Sequence, residues 1–427
     1  MRPILPVISL WLSLSLAAAT PLHALERSDT LTRRGMEALG VSFTQNNTVV
    51  LLPTGREKFD ALFAAIRQAR HYIHLEYFNF RNDSIGMALF DLLGEKAREG
   101  VEVRALYDSF GNSSNDSPLK KRQLKQIRES GVEVCCFAPI HFPWVTHFFH
   151  RDHCKIVVID GAVAYAGGMN VADYYIHGRP EYGEWRDMHM ELTGDVVDAY
   201  EAVFARMWWE QTRQILLASD YGKGSPRCRD ASEFVLLRDT TATAGRKQIG
   251  VVHRRPGEAS KLMRKAYTAA IDAAQHKIQI VNPYPTSVSM IRQALYRALE
   301  RGVKVEFMVS ARMDEPVTPD IVALEMHHFV ERGADVFYNQ TGFHHSKIMM
   351  IDGSLCTVGS ANMDGRSMRC DYEVNAFILD APTTQQLQAI LEADKANCTR
   401  YTAEGWKDLS CGHRFVGKFF YPFRLLF

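Results

Sequence analysis

Hydrophobic and polar positions along the chain switch between a helical and a strand period, and the switch recurs. Residues 61–80 read ALFAAIRQARHYIHLEYFNF, helical spacing that ends in a β-rich run. Residues 265–284, KAYTAAIDAAQHKIQIVNPY, repeat that order, with Ala69 on Ala274 at an offset of 205. KAREGVEVRALYDS (96–109) matches RALERGVKVEFMVS (297–310), and IRESGVEVCCF (127–137) matches FVERGADVFYN (329–339). Both pairs sit at an offset of 202, through Gly100/Gly302 and Gly131/Gly333. HCKIVVID (153–160) matches HSKIMMID (345–352) at 192, the drift reflecting a longer first-half connection, PIHFPWVTHFFHRD. Each half therefore predicts helix–strand three times and then a strand pair, with a glycine C-cap before each later strand.

Strands that alternate with helices argue an α/β fold, each half a mostly parallel or mixed sheet flanked by helices. The chain divides into a first lobe over 45–217, a linker over 218–257 rich in glycine, threonine and turn residues, and a second lobe over 258–427. Within the linker, EFVLLRD (233–239) predicts a strand.

The amino terminus stands apart from the repeat. In MRPILPVISLWLSLSLAAATPLHALERSD, Arg2 is the only charge before Glu26, and Ile4–Ala19 is an apolar run. Residues 1–24 read as a signal peptide with a cut after Ala24, or as an N-terminal membrane anchor. Export would place the cysteines in an oxidising compartment, where Cys398 and Cys411 are open to pairing or to remaining free thiols. Cys154 and Cys356 lie in apolar runs and are expected in the core.

Composition then narrows the classes. The 427 residues carry 50 Lys+Arg against 49 Asp+Glu and are 46% hydrophobic, which excludes a disordered chain. A net charge of +1 argues against a dedicated nucleic-acid binder. The eight cysteines include no CxxC pair, so no zinc site is indicated.

The repeat also carries the chemistry. His153-x-Lys155-x4-Asp160 is followed by Gly167-Gly168-x-Asn170, and His345-x-Lys347-x4-Asp352 by Gly359-Ser360-x-Asn362. Side chains at i and i+2 of a strand share a face, so each half offers an imidazole beside an ammonium. Lysine suits a phosphate oxygen, histidine can act as nucleophile or proton donor, and Asn and Ser add neutral donors. Two such sets match a phosphodiester held by cations, attacked by one histidine and released by the other, with no metal or cofactor needed. Asp160 and Asp352 stand an odd seven residues on and are expected to face away as ion-pair residues. The acid on each following strand, Asp187 and Glu373, is the candidate for orienting each histidine.

This constellation resembles the phospholipase D superfamily, whose mark is a duplicated HxKx4Dx6GSxN motif. The flanks GGMNVADYY (167–175), EWRDMHMELTG (184–194), VNPYP (281–285), GSANMDGRS (359–367) and the Arg151-Asp152-His153 opening resemble its bacterial cardiolipin synthase branch. The sequence departs from the pattern at Gly168, which replaces a serine, and at Asp371, where that branch usually has Asn. The resemblance implies a bilobed sandwich with one active site at the lobe interface and a phosphohistidine intermediate. Carried over, the motif residues His153, Lys155, Asp160, His345, Lys347 and Asp352 form the catalytic set. His153 would be the nucleophile and His345 the general acid, or the reverse. Lys155 and Lys347 would bind phosphoryl oxygens, with Asn170, Ser360 and Asn362 as further substrate contacts. The implied reaction converts two phosphatidylglycerols to cardiolipin and glycerol; hydrolysis by a phospholipase D, or a phosphodiesterase or nuclease activity, are the alternatives. The implied partners are a phospholipid and a membrane surface, and the amino-terminal segment points to a bacterial envelope, with the protein exported or anchored at the inner membrane and its catalytic part extracytoplasmic. HFPWVTHFFHRD (141–152), with Trp144, Phe148 and Phe149, and the tail FVGKFFYPFRLLF (415–427) are the stretches suited to an interface.

Overall fold

The computed structural model describes residues 22–139 and 149–426. Three helix–strand units open each half: Gly55–Gln68 with Tyr72–Tyr77, Ser84–Arg98 with Glu102–Asp108 and Lys121–Glu129 with Glu133–Phe137. Their counterparts are Leu262–Ala273 with Lys277–Val281, Ser289–Glu300 with Lys304–Ser310 and Thr318–Val330 with Asp335–Asn339. Gly100, Gly131, Gly302 and Gly333 stop four of these helices with φ between +83° and +98°, left-handed values that a side chain would strain.

All these strands join one sheet, which has 15 strands among the described residues. The sheet is mixed. Parallel pairing is confined to the three helix-linked strands of each half; the strands between them pair antiparallel. The halves join where Phe43–Leu52 pairs with Lys247–Arg254, and the same strand order runs outward from that seam on both sides. The motif strand Lys155–Ile159 is buried throughout, its side chains alternating between two apolar clusters on opposite faces of the sheet.

The linker expectation is corrected in two places. Lys247–Arg254 lies inside the expected linker yet is a central strand, paired with Phe43–Leu52 and Glu373–Leu379. Glu233–Asp239 is not a strand: a 3₁₀ turn ends at Glu233, and no ladder follows. Side chains satisfy its backbone instead, since Val235 N–H donates to Gln68 Oε1 and Leu237 N–H to Glu191 Oε1.

The cut expected after Ala24 falls in a helix, Leu22–Glu37, and the apolar run before it lies outside the described residues. Among the described residues no helix is long and apolar enough to cross a membrane. All eight cysteines are free thiols, Cys398 and Cys411 included, and Cys154 and Cys356 are fully buried. Trp144 and Phe148 lie outside the described residues. The tail forms a helix, Cys411–Phe420, and a 3₁₀ turn, Tyr421–Leu426.

Candidate active site

Strand pairing across the lobes builds the site. Asp152 bridges Tyr372 in parallel, with His153 N–H donating to Tyr372 O at 3.0 Å and Tyr372 N–H to Arg151 O at 2.8 Å. Gly342–His344 likewise pairs with Glu184–Arg186, and His345 N–H donates to Arg186 O at 2.6 Å. Each histidine thus enters its motif strand only after its backbone has engaged the other lobe.

That exchange crosses the carboxylates. His153 Nδ1 lies 3.0 Å from Glu373 Oε1, and His345 Nδ1 lies 2.8 Å from Asp187 Oδ2. The acid following each motif therefore contacts the histidine of the opposite lobe, not its own. The correction has a local cause: Glu373 follows Tyr372 and Asp187 follows Arg186, the residues whose carbonyls hold the opposite histidine backbones. A carboxylate on Nδ1 fixes the tautomer and leaves Nε2 to the cleft side, where Lys347 Nζ stands 3.0 Å from that of His345.

Both carboxylates are fully buried and stay ionised. Burial works to raise Glu373, but His153, Lys155 and Ser360 outweigh it and bring the carboxyl below its ordinary value. Lys347 and His345 do the same for Asp187. Burial brings His153 down to about 4, so the ring is a neutral imidazole at neutral pH. Burial and Lys347 lower His345 as well.

The two lysines are buried and converge. Lys155 Nζ donates to His153 O at 2.6 Å, and Lys347 Nζ lies 2.8 Å from His345 Nδ1. Burial brings Lys347 down to about 8, with Asp187 opposing and Lys155 adding to the shift. Burial also lowers Lys155. An anion arriving between them would relieve this mutual repulsion.

Asn170 and Asn362 line the same cleft as the two histidines, a cavity of about 590 Å³. Each has a buried Oδ1 without a hydrogen-bond partner among the described residues. Ser360, expected as a phosphoryl contact, is fully buried; its hydroxyl donates to Glu373 Oε2 and accepts from Val374 N–H at 3.0 Å. In the first copy Gly168 stands there, where a Cβ would lie 2.2 Å from Asp187 Oδ1.

Asp160 and Asp352 do not enter the cleft. Asp160 accepts the N–H groups of Arg70, His71 and Tyr72 at 2.7–2.9 Å and pairs with Arg229 at 3.2 Å. Asp352 accepts those of Gln275, His276 and Lys277 at 2.8–2.9 Å. They fasten the entry of a neighbouring strand.

Sequence reasoning missed the brace beneath His153. The fully buried Arg151 places Nε 3.0 Å from both Asp108 oxygens, and Asp108 Oδ2 also accepts the Asp152 N–H. Its sequence signal was an arginine directly before the motif, followed by an acid. Asp371, the departure from the usual Asn, accepts the Arg151 N–H and pairs with Arg366 at 2.8 Å.

Two copies of one α/β unit, each lending a histidine to a shared cleft with a buried lysine beside it, define a phospholipase D-type protein. The chain belongs to the family described as cardiolipin synthase, phospholipase D-like domain, whose model matches residues 62–208 and 267–395. It is 34% identical to a cardiolipin synthase of Oceanobacillus iheyensis over 374 residues, 87% of this chain and 74% of that protein. It is 32% identical to a probable cardiolipin synthase of Bacillus subtilis over 372 residues, 87% of this chain and 70% of the other. In fold it is similar to phosphatidylserine synthase of Haemophilus influenzae, with a TM-score of 0.68, 15% identity and coverage of 92% and 98% of the two chains.

Proposed function

We propose that the protein is a phosphatidyltransferase that converts two phosphatidylglycerols to cardiolipin and glycerol. The observation that carries this is the pair of crossed histidine–carboxylate contacts on one cleft, in a chain of the cardiolipin synthase family. His153 Nε2 attacks phosphorus, and the bond from phosphorus to the glycerol oxygen breaks. That oxygen takes a proton from His345 Nε2 and glycerol leaves. The hydroxyl of a second phosphatidylglycerol then gives its proton to His345 and bonds to phosphorus as the N–P bond breaks.

Lys155, Lys347, Asn170 and Asn362 bind the phosphoryl oxygens, and Glu373 and Asp187 hold the rings. His345 must be protonated for the first half, although the unliganded site lowers its affinity for a proton. The phosphodiester charge between the lysines offsets their effect, and Asp187 favours the imidazolium.

The tail supports a membrane surface as the place of reaction. Phe415, Phe419 and Phe423 are 67%, 55% and 51% exposed, and Arg414, Lys418 and Arg424 lie among them with no acid after Asp408. The tail abuts the cleft wall: a Cβ on Gly365 would lie 2.2 Å from Leu425 O, and Arg366 and Ser367 line the cleft. Replacing the three phenylalanines by serine should weaken sedimentation with phosphatidylglycerol vesicles; unchanged binding would remove the tail from the account. The placement of residues 1–24 as a cleaved signal or anchor, with the catalytic part extracytoplasmic, is tested by fractionation and N-terminal sequencing of the mature protein.

Purified protein in phosphatidylglycerol micelles should release cardiolipin and glycerol in equal amounts. Phosphatidic acid as the sole lipid product would sink the transferase reading in favour of hydrolysis.

A further inference from the structure

Among the cations lining the cleft, two on the first lobe are not used by the two-histidine chemistry. Arg81 and Arg179 line it from the first lobe, beside Asn170. Both guanidiniums converge on one carboxylate, Asp116: Arg179 Nη2 is 3.1 Å from Oδ2, and Arg81 Nη2 contacts Oδ1. The arginine side chains are only 11% and 26% exposed, whereas Asp116 is 61% exposed. Asp83 also meets Arg81, at 3.3 Å, but its oxygens are engaged by the Gly86 and Asp173 amides. The acid shared by the pair is therefore the one most open to solvent and most easily displaced.

Aromatic rings fix the guanidiniums. Arg81 lies 5.3 Å and Arg179 4.8 Å from the Tyr174 ring, and Arg179 is 5.6 Å from the Trp185 ring. The Trp185 ring is in turn 5.8 Å from the His345 ring. A stacked planar fork is a poor partner for water and a good one for a phosphodiester. Arg179 thus stands on the His345 side of the cleft, beside the group that takes the acceptor's proton, and Arg81 shares its Tyr174 ring.

We propose that Arg81 and Arg179 form the subsite for the phosphate of the acceptor, with Asp116 holding them in place until it arrives. The acceptor class is an alcohol that itself bears a phosphodiester a short carbon bridge away. The inference rests on the phosphatidyltransferase reading and deepens it. In the second half-reaction the acceptor hydroxyl oxygen bonds to phosphorus, the His153 Nε2–P bond breaks and the hydroxyl proton passes to His345. Water lacks the phosphate that this subsite holds, so the arginines favour transfer over hydrolysis at the shared intermediate.

The experiment is a product partition. Wild type, Arg179→Gln, Arg179→Lys and Arg81→Gln are given phosphatidylglycerol in mixed micelles, and cardiolipin and phosphatidic acid are quantified. A second arm adds ethanol, a neutral acceptor, and measures phosphatidylethanol against phosphatidic acid. Arg179→Gln and Arg81→Gln should lower the cardiolipin ratio about tenfold, the scale of one lost hydrogen bond to a charged group. Arg179→Lys should recover part of it, and the ethanol ratio should move less than about twofold. Cardiolipin made by wild type with an unchanged ratio in both Gln variants would overturn the subsite alone. An equal fall in both ratios would overturn it too, since a neutral acceptor has no phosphate to lose. Phosphatidic acid as the sole wild-type product would overturn the transferase reading and the subsite with it.

Discussion

Replacing Glu373 by glutamine removes the carboxylate from His153 Nδ1 while keeping the side chain's shape. The lost contact is 3.0 Å long and fully buried on the carboxylate side. A hydrogen bond to a charged group contributes about 1.5–3 kcal/mol, or roughly tenfold to 150-fold in rate. An amide can also hold the wrong tautomer, and in a serine-protease triad that substitution costs about 10⁴-fold. The expected loss in kcat is therefore about 10²- to 10⁴-fold. The crossed pairing adds a sharper expectation. Phosphatidyl-p-nitrophenol has a leaving group that needs no general acid, so its p-nitrophenol burst reports His153 alone. Asp187→Asn, which disturbs His345, should leave that burst rate within about tenfold while slowing turnover of phosphatidylglycerol. Glu373→Gln should slow both. The reverse result, with the burst lost in Asp187→Asn and kept in Glu373→Gln, would refute the crossed assignment. Circular dichroism and melting curves of both variants guard against simple misfolding.

Further outcomes follow from the same geometry. Lys347 is held down at about 8 by burial, so its ammonium is lost earlier than an exposed lysine's; with phosphatidyl-p-nitrophenol, whose leaving group needs no protonated His345, kcat/KM should fall as pH rises through about 8. The nucleophile at about 4 sets no acid limit near neutrality, and Asp187→Asn should move the alkaline limb to lower pH; a flat profile to about pH 10, near an unperturbed lysine, would contradict this. Asp160→Ala strips three backbone amides and Arg229 of their acceptor and should cost about 3–5 kcal/mol in denaturant unfolding, with kcat of the folded fraction near wild type. A drop in kcat without loss of stability would place Asp160 in the chemistry instead. Gly168→Ala sets a methyl against Asp187 Oδ1 and should lower kcat at least about tenfold by displacing the carboxylate from His345; wild-type kcat would show that the carboxylate has room to move.

The repeat was legible because helix, glycine and strand leave a periodic mark, and the same mark appears twice. Motif spacing likewise placed two histidines and two lysines at strand entrances. The crossed carboxylates were not legible, since pairing between Tyr372 and Asp152 joins residues 220 apart and leaves no local period. The central strand Lys247–Arg254 was hidden by its polar letters. Its Lys247 is buried against Asp380 at 3.0 Å and Asp239 at 3.3 Å, an ion-pair cluster that a hydrophobic pattern cannot reveal. The apolar letters of Glu233–Asp239 misled in the opposite sense, since Val235 and Leu237 are 83% and 47% exposed in an irregular segment. Arg81, Arg179 and Asp116 stand far apart in the chain and meet only once the first lobe is folded.

The central claim is that one site, shared by the two lobes, passes a phosphatidyl group through His153. His345→Ala enzyme can still be charged from phosphatidyl-p-nitrophenol but lacks the base that activates an acceptor. Mass spectrometry of the quenched, digested protein should find the phosphatidyl group, as an acid-labile phosphoramidate, on the peptide that contains His153. No adduct on that peptide, together with a stable adduct on His345 in the His153→Ala enzyme, would contradict the account.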